Sequence, residues 1–431
     1  MKYLIETYGC ELNRAESNAI EVILQGRGIE KTEEAMDADV VILNTCSVRK
    51  TAENRIWGRL GYFSSIKKKK HGAFRIILTG CMAERLKEEV LKDAPYIDLV
   101  IGTNEKNYIP QYILGEDVRD HEKYSFLKSY YQEGDYFSYV PIMNGCNNFC
   151  TYCIVPYVRG REISRSVEDI VNEIKMLDEK GVKEICLLGQ NVNSYDSEWE
   201  GRKIDFPSLL EIILPYMHSI EFVRFESPHP KDFSDHLIRV IAENDRVCSH
   251  IHLPMQSGNS RILQLMNRKT TREKFIELVE KMKREIPGVT FATDVMTGFP
   301  TETEEEYEDT LSMMEIMGCT EAFMYYFNPR EGTKAATMDG QLDDKTKIAR
   351  LERLINEQLE RAKRIKTARL PFECKVVVQG TTRDEKDHVL GRDEHNDMIS
   401  FIPSPGVKAG DIIMVRATEL NGNTYRGEQL V

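Results

Sequence analysis

Short apolar runs alternate with helical segments along most of this chain, and this alternation restricts its fold more than any other feature. In the first hundred residues, runs of strand type begin at Lys2, Asp39 and Arg75, and helical patterns follow them, the first at Ser17–Arg27. Continuous apolar runs separated by helices are typical of parallel strands buried on both faces. We therefore predict an α/β domain with a doubly wound parallel sheet over residues 1–115.

A second alternation occupies the middle of the chain and indicates an open barrel. A charged, tyrosine-rich stretch at residues 116–139 is interpreted as a linker, and about six strand–helix steps follow in residues 140–367. A closed barrel of this kind takes eight steps, so six predict a partial (βα)6 barrel with functional groups at the carboxyl ends of its strands. Short strands separated by Gly and Pro then predict a small all-β barrel over residues 368–431.

Composition and charge narrow the class of protein. No stretch reaches the roughly 18–20 apolar residues of a membrane span, and the first residues lack the apolar region of a signal peptide. We therefore expect a protein of the cytoplasm with no membrane partner. The net charge of −12 argues against a surface that coats nucleic acid broadly, but it is compatible with a local basic patch.

Three of the ten cysteines occur in the spacing Cys146-x3-Cys150-x2-Cys153, on a loop after a predicted strand. Reduced thiols in such a pattern indicate metal binding, and iron–sulfur clusters are bound through cysteine thiolates. A saturated [4Fe–4S] cluster takes four thiolates, so three leave one iron open to a substrate or cofactor. A structural zinc site is the weaker interpretation because it also usually takes four ligands.

A second set of cysteines, Cys10, Cys46 and Cys81, is spread along the amino-terminal domain, and each cysteine follows a predicted strand. The carboxyl ends of neighbouring parallel strands share one edge of a sheet, so we expect these thiols to converge and hold a second cluster. The alternative is that they are small buried hydrophobic residues. We assign that packing role to the remaining four cysteines, namely Cys186, Cys248, Cys319 and Cys374.

The segment Gly145–Gly160, GCNNFCTYCIVPYVRG, resembles the S-adenosylmethionine (SAM) motif of the radical SAM methylthiotransferases. That family also has an amino-terminal three-cysteine domain and a carboxy-terminal β-barrel called the TRAM domain, so the similarity covers nearly the whole chain. Within the family, the segments Asn44–Arg49, Leu253–Asn259 and Thr297–Thr303 resemble the MiaB branch most closely.

This resemblance implies methylthiolation of C2 of N6-isopentenyladenosine at position 37 of tRNA, with two molecules of SAM consumed. It implies a [4Fe–4S] cluster on Cys146, Cys150 and Cys153 that reduces SAM to a 5′-deoxyadenosyl radical, which takes hydrogen from C2. An auxiliary [4Fe–4S] cluster on the three amino-terminal cysteines would hold the sulfur to be transferred. Because C2–H of adenine is not acidic, such chemistry has to come from a cofactor.

By motif position, the resemblance also implies contacts to SAM at the carboxyl ends of the barrel strands. The candidate residues are Tyr152, Gly189, Gln190, Asn191, Ser227, Gln256 and Asp294. At each position the alternative is a polar residue satisfied within the fold, and Asp294 has a further alternative role in orienting the substrate. Ser227 departs from the family pattern because Phe225 and Glu226 precede it where smaller hydroxyl residues are expected.

The implied partner is tRNA, with a flipped-out base of the anticodon stem-loop as the substrate. We expect the basic run Lys67–His71 and the basic helix Lys345–Arg369 to contact its phosphates. Further expected partners are an electron donor such as flavodoxin or ferredoxin and the iron–sulfur assembly machinery.

Three alternative functions remain open at this point. Two belong to the same family: methylthiolation of N6-threonylcarbamoyladenosine 37 in tRNA, as in MtaB, and of an aspartate of ribosomal protein S12, as in RimO. The context Ser47-Val48-Arg49 argues against the second. The third is a non-catalytic iron–sulfur or RNA-binding protein, which the two sets of three cysteines oppose because an electron carrier is better served by four-thiolate clusters.

Overall fold

The structure is a computed structural model that describes residues 1–47, 50–116, 126–127, 131–132, 134–382 and 387–430. Val48, Arg49 and much of the predicted linker lie outside these residues. The chain forms two compact units. Unit 1 comprises Met1–Tyr130, Tyr139–Asn147 and Ile154–Arg165, and unit 2 comprises Tyr131–Ser138, Asn148–Cys153 and Ser166–Val431. The predicted domain boundaries stay predictions.

Unit 1 contains a five-stranded parallel sheet in the order β2-β1-β3-β4-β5. Its strands are β1 (Lys2–Tyr8), β2 (Glu30–Lys31), β3 (Val40–Thr45), β4 (Arg75–Gly80) and β5 (Leu99–Ile101). Its helices are α1 (Glu11–Gly26), α2 (Lys50–Lys69), α3 (Cys81–Leu86), α4 (Val90–Asp93) and α5 (Ile109–Leu114). Helix α2 buries Leu60 and Phe63 on one face of the sheet, and α1 buries Ile20 and Leu24 on the other. The prediction of a doubly wound parallel sheet is confirmed.

Helix α1 begins at Glu11, well before the predicted start at Ser17. Its first turns bury two polar side chains, Asn13 and Glu16. A search for apolar periodicity does not detect helical turns whose inward side chains are polar. These side chains are buried because they bond to other polar groups of unit 1, as described below.

The chain continues through four short elements into the barrel. They are β6 (Phe137–Pro141), β7 (Met143–Asn144), α6 (Val155–Val158) and β8 (Ile163–Ser164). The barrel strands that follow are β9 (Glu184–Leu188), β12 (Phe222–Phe225), β13 (His250–His252), β14 (Thr290–Thr297) and β15 (Glu321–Tyr326), with the hairpin strands β10 (Asp196–Trp199) and β11 (Arg202–Asp205) between them. The helices are α7 (Val167–Glu179), α8 (Phe206–Ile213), α9 (Asp235–Glu243), α10 (Ser260–Leu265), α11 (Arg272–Glu285), α12 (Glu304–Met317) and α13 (Asp344–Ala368).

The barrel is open, as predicted from six strand–helix steps. Two three-stranded sheets, β12-β9-β6 and β13-β14-β15, are joined by a bridge between Val223 and Val247. Strands β9 and β12 are parallel, and so are β13, β14 and β15. Helix α7 starts at the predicted cap, because Ser166 Oγ accepts a hydrogen bond from the Asp169 amide at 3.2 Å.

The hairpin of β10 and β11 is absent from the prediction. Its strands pair antiparallel around Glu200 and Gly201, both of which have positive φ angles, as in a tight two-residue hairpin turn. The strands themselves are rich in charged residues, and so they lack the apolar alternation by which a strand is recognised.

The carboxy-terminal part of unit 2 is a closed barrel in the order β16-β17-β18-β20-β19, which confirms the predicted small all-β barrel. Its strands are β16 (Phe372–Thr381), β17 (Val389–Arg392), β18 (Met398–Phe401), β19 (Ile412–Asn421) and β20 (Thr424–Gln429). Phe401 and Tyr425 are fully buried in its core.

The turn between β17 and β18 packs against the amino ends of the larger barrel's strands. Arg224 of β12 donates to the carbonyl of Glu394 at 3.0 Å, and Asn396 donates to Glu321 at the start of β15 at 3.3 Å. Asp397 forms ion pairs with Lys366 at 2.9 Å and with Arg369 at 2.5 Å. The small barrel is therefore fixed at the end of unit 2 opposite the carboxyl ends of the strands.

We predict that Gly80→Ala destabilises unit 1 by more than about 1 kcal/mol. Gly80 has φ +96°, and a Cβ there would lie 2.3 Å from the carbonyl oxygen of Thr45. Gly26→Ala is the matched control, since a Cβ at Gly26 meets no atom within 4 Å. Urea unfolding followed by fluorescence of Trp57, which packs on the core of unit 1, measures the difference. The second tryptophan, Trp199, is replaced by Phe in all variants, and equal midpoints for the two glycine variants would contradict the prediction.

Candidate functional site

Cys10, Cys46 and Cys81 all lie at the carboxyl edge of the unit 1 sheet. The register pairs Thr45 at the end of β3 with Gly80 at the end of β4, so the two strands end level and each runs directly into its cysteine. Strand β1 ends beside β3, and Cys10 follows it at the start of α1. Cys46 and Cys81 are buried, and Cys10 is exposed.

The backbone approaches closely around two of these cysteines. A Cβ on Gly9 would lie 2.5 Å from the side chain of Asn13. Gly80 is constrained by the backbone of Thr45 in the same way. The residues before Cys10 and Cys81 are therefore glycines for steric reasons, and larger residues would push the strand ends apart.

A buried network of amide side chains lies under this edge. Cys10 Sγ donates to Asn13 Oδ1 at 3.3 Å, and Asn13 Nδ2 donates to Asn44 Oδ1 at 2.9 Å. Asn44 Nδ2 in turn donates to the Asn13 carbonyl at 2.9 Å and to Ser17 Oγ at 3.0 Å. The network ties the first turn of α1 to the end of β3, and the sequence analysis missed it.

Next to the amides lies a buried carboxylate between two cations. Arg159 Nη1 donates to Glu16 Oε1 at 2.9 Å and to Asn144 Oδ1 at 3.0 Å. Lys106 Nζ pairs with the same carboxylate and donates to Asn44 Oδ1 at 3.2 Å. Burial alone would raise the pKa of Glu16, but Arg159 and Lys106 hold it below its ordinary value. Glu16 is therefore ionised.

The loop of Cys146, Cys150 and Cys153 spans both units, and each part has its own support. In unit 1, the Cys146 amide donates to the Gly160 carbonyl at 3.2 Å. Gly145 has φ +81°, and a Cβ there would lie 2.1 Å from a backbone oxygen. This glycine therefore permits the chain to turn into the loop.

In unit 2, the turn after α10 holds the rest of the loop. Asn267 Nδ2 donates to the carbonyls of Asn148 and Phe149 at 3.1 and 2.9 Å. Arg268 Nη2 donates to the Pro254 carbonyl at 2.7 Å, and its Nη1 lies 3.8 Å from Cys150 Sγ. Arg268 thus presents a positive charge to a cysteine of the loop.

The predicted SAM contacts of unit 2 are distributed along the carboxyl ends of the strands. Gly189, Gln190 and Asn191 follow β9, Ser227 follows β12, Gln256 follows β13, and Asp294 lies in β14. Tyr152 packs beside Phe299 and Phe327. Ser227 and Gln256 have φ angles of +62° and +69°. Such strained backbone is concentrated at functional sites.

Several buried polar atoms on this rim have no hydrogen-bond partner within the described part of the chain. They are Asn191 Oδ1, His229 Nε2, Gln256 Oε1, Arg268 Nε and Thr297 Oγ1. Buried polar atoms are almost always paired, so this group suits a small polar ligand. Burial, with the charges of Arg268 and Lys231, lowers the pKa of His229 to about 2, so its ring is neutral. The sequence analysis missed His229.

Asp294 is held by two side chains that the sequence analysis also missed. It accepts hydrogen bonds from His252 Nε2 and from the Tyr325 hydroxyl, both at 2.8 Å. Burial opposes ionisation, but these bonds and the charge on His252 lower the pKa of Asp294. The three residues lie on neighbouring strands and form a fixed charged group in the barrel.

The donor chemistry of both cysteine sets fits an iron–sulfur cluster, because such clusters are bound through cysteine thiolates. Within the described ranges, no three His, Cys, Asp or Glu side chains converge closely enough to hold one metal ion. The four cysteines assigned to packing are all buried, as predicted.

Many of the basic residues predicted to contact phosphates have partners within the fold. Lys67 Nζ pairs with Asp98 at 2.5 Å, and Lys70 Nζ donates to the Ala38 carbonyl at 2.5 Å. In α13 the following residues form ion pairs within unit 2: Lys347, Arg350, Arg353, Arg361, Arg364 and Lys366. These side chains stabilise the fold, which weakens the predicted phosphate role.

Two family models match the chain. The Radical SAM superfamily matches residues 140–314, and the Uncharacterized protein family UPF0004 matches residues 2–102. The open barrel with a three-cysteine loop is thus that of a radical SAM protein.

Among the described residues, no helix is both long and apolar enough to cross a membrane.

Curated relatives match the chain over almost its full length. A protein of Treponema pallidum is 44% identical over 99% of this chain and 98% of its own length. Proteins of Treponema denticola and Bacteroides fragilis are 43% and 41% identical, over 99% and 96% of their lengths and 99% and 100% of this chain. All three are named tRNA-2-methylthio-N(6)-dimethylallyladenosine synthase, and the chain belongs to this family.

A solved structure supports the fold. The radical S-adenosylmethionine methyltransferase TsrM from Kitasatospora setae, with cobalamin and a [4Fe–4S] cluster bound, aligns with a TM-score of 0.56. The alignment covers 78% of this chain and 77% of that one at 12% identity, so it bears on the fold alone.

We predict that Asp294→Asn lowers the pKa of His252. Burial disfavours the imidazolium, but the hydrogen bond and charge of Asp294 outweigh it and raise the pKa of His252. The imidazolium therefore stabilises the fold fully below the unfolded pKa, and this contribution is lost as pH rises through the folded value. An NMR titration of labelled histidines measures the shift, with His229, whose pKa is lowered to about 2 by burial and by the charges of Arg268 and Lys231, as an internal reference. An unchanged titration of His252 would contradict the role of Asp294.

Proposed function

We propose that this protein is a tRNA methylthiotransferase that converts N6-isopentenyladenosine at position 37 to its 2-methylthio derivative and consumes two molecules of SAM. The observation that carries the proposal is that one chain contains two sets of three cysteines. One set lies on the sheet edge of unit 1, and the other lies on the loop before the barrel. The dimethylallyl group in the names of the relatives is the same isopentenyl group, and it favours this substrate over threonylcarbamoyladenosine or ribosomal protein S12.

The two sets of cysteines would each hold a [4Fe–4S] cluster. One would be held by Cys146, Cys150 and Cys153, and the auxiliary one by Cys10, Cys46 and Cys81 of unit 1. When bound, the clusters supply the electron that cleaves SAM and the sulfur that is transferred. Three thiolates leave one iron open in each, which suits both tasks.

The protein's own residues position the reactants. Arg268 holds the loop and sets a positive charge beside Cys150. The unpaired oxygens of Asn191 and Gln256 support their role in binding the polar groups of SAM. Tyr152, Gly189, Gln190 and Ser227 complete the proposed set of contacts. Asp294 bonds to His252 and Tyr325, which favours its alternative role of orienting the substrate through a fixed group.

The proposed macromolecular partner is the anticodon stem-loop of tRNA. Its base 37 is single-stranded, so it can leave the loop and enter a pocket without breaking a duplex. We propose that the reaction takes place in the cytoplasm, with electrons from a flavodoxin or ferredoxin. The clusters would be delivered by iron–sulfur assembly proteins.

The decisive experiment is anaerobic reconstitution with iron and sulfide, followed by an assay with SAM, a reductant and an isopentenyladenosine-containing stem-loop. About eight irons per chain and a methylthio mass gain on the modified adenosine are expected. Cleavage of SAM with no gain would redirect the search to threonylcarbamoyladenosine or S12. About four irons would refute the auxiliary site.

We predict that Cys46→Ala keeps SAM cleavage but loses methylthiolation, because it removes a thiolate of the auxiliary cluster. Cys10→Ala and Cys81→Ala are expected to behave alike. Cys150→Ala is the matched comparison and abolishes SAM cleavage itself. The yields of 5′-deoxyadenosine and of methylthioadenosine, measured together by mass spectrometry, separate the two patterns. Normal product from an auxiliary-site variant, or unchanged SAM cleavage by Cys150→Ala, would overturn the corresponding assignment.

A further inference from the structure

Among the described residues of unit 1, a buried group of two cations and one carboxylate lies next to the amide network of the cysteine edge. Lys106, Arg159 and Glu16 are 2%, 4% and 3% exposed, and the two cations share the one carboxylate. A buried charge is costly unless it has a counter-charge. This group of three, which we call the buried triad, therefore calls for one further negative charge.

The uncompensated positive charge lies close to Cys81. The segment before Arg159 packs on Cys81, because Ile154 and Val158 form a buried apolar cluster with it. The Val158 carbonyl is fixed by the Thr103 hydroxyl at 2.6 Å. The backbone carbonyl of Arg159 accepts from Asn144 Nδ2 at 3.1 Å, so main chain and side chain are both held.

The pKa of Arg159 also indicates that its guanidinium lies near the cysteines. Burial disfavours the charged guanidinium, but Glu16 and the thiols of Cys81 and Cys10 raise the pKa of Arg159 well above its ordinary value. Arg159 therefore stays charged within electrostatic range of the thiols of Cys81 and Cys10.

The proposed auxiliary cluster has the charge that the buried triad lacks. An oxidised [4Fe–4S] core carries two positive charges, so three cysteine thiolates leave it with one net negative charge. Reduction adds a second negative charge. A fixed cation nearby stabilises the reduced form more than the oxidised form, and the net charge around a cluster is one determinant of its reduction potential.

We infer that Arg159 is the counter-charge of the auxiliary cluster and that it raises the reduction potential of this cluster. The inference rests on the proposed function, since it needs a cluster on Cys10, Cys46 and Cys81. Arg159 acts as a positioning residue through the charge it holds. Glu16 opposes this effect, because its carboxylate cancels one of the two cations.

The test uses the full-length chain with Cys146, Cys150 and Cys153 changed to Ala, so that only the auxiliary cluster is observed. After anaerobic reconstitution, iron per chain is counted and the reduction potential is measured by a titration followed by electron paramagnetic resonance. Arg159→Gln is expected to move the potential to more negative values and Glu16→Gln to more positive values. Arg159→Lys keeps the cation and is expected to keep the potential of the parent.

The matched control is Arg14→Gln. Arg14 follows Cys10 in the first turns of α1, but its side chain is 62% exposed and pairs with Glu11 at 3.4 Å, so solvent screens its charge and its loss is expected to leave the potential unchanged. Loss of iron from Arg159→Gln that Arg159→Lys restores, with the melting temperature of the cluster-free protein unchanged, would also support the inference.

Three results would overturn it: equal potentials for Arg159→Gln and the parent, shifts of the same sign for Arg159→Gln and Glu16→Gln, or equal melting losses in Arg159→Gln and Arg159→Lys without a change in potential. A parent protein that binds no cluster would instead refute the proposed function itself.

Discussion

The level ends of parallel strands are the constraint on which the rest of unit 1 depends. Strands β1, β3 and β4 pair in a register that ends them at one edge, and a cysteine follows each strand there. Gly9 and Gly80 allow the backbone to pass closely, and the amides of Asn13 and Asn44 tie helix to strand. The fold therefore fixes the backbone positions of the three cysteines at one edge of the sheet.

The candidate site of the unit 2 barrel is formed by polar side chains at the carboxyl ends of its strands. Its rim offers polar atoms without partners in the described chain, a histidine that stays neutral and a carboxylate fixed by two neighbours. The amino ends of the same strands contact the turn between β17 and β18 of the small barrel, through Arg224 and Glu321. One end of the barrel is thus fixed by hydrogen bonds to the small barrel, and the other end keeps its polar groups available for a ligand.

Much of this could be predicted from the sequence, since apolar runs and cysteine spacing are local patterns. The sheet, the open barrel, the small barrel and the placement of Cys10, Cys46 and Cys81 on one edge followed from them. What could not be predicted depends on polar groups far apart in sequence. Glu16 is paired with Lys106 and Arg159, and no local pattern shows that a glutamate in a polar helical turn is buried between two distant cations.

The distance along the chain between Glu16 and Arg159 also matters while the protein is being made. Chains emerge from the ribosome at roughly 5–20 residues per second, and amino-terminal segments fold first. The sheet and Lys106 emerge before Arg159, so unit 1 passes through a stage in which Glu16 can pair with Lys106 but not yet with Arg159. Arg159 follows the Cys146–Cys153 loop in the chain, so the buried triad is completed only after all six of these cysteines have been synthesised.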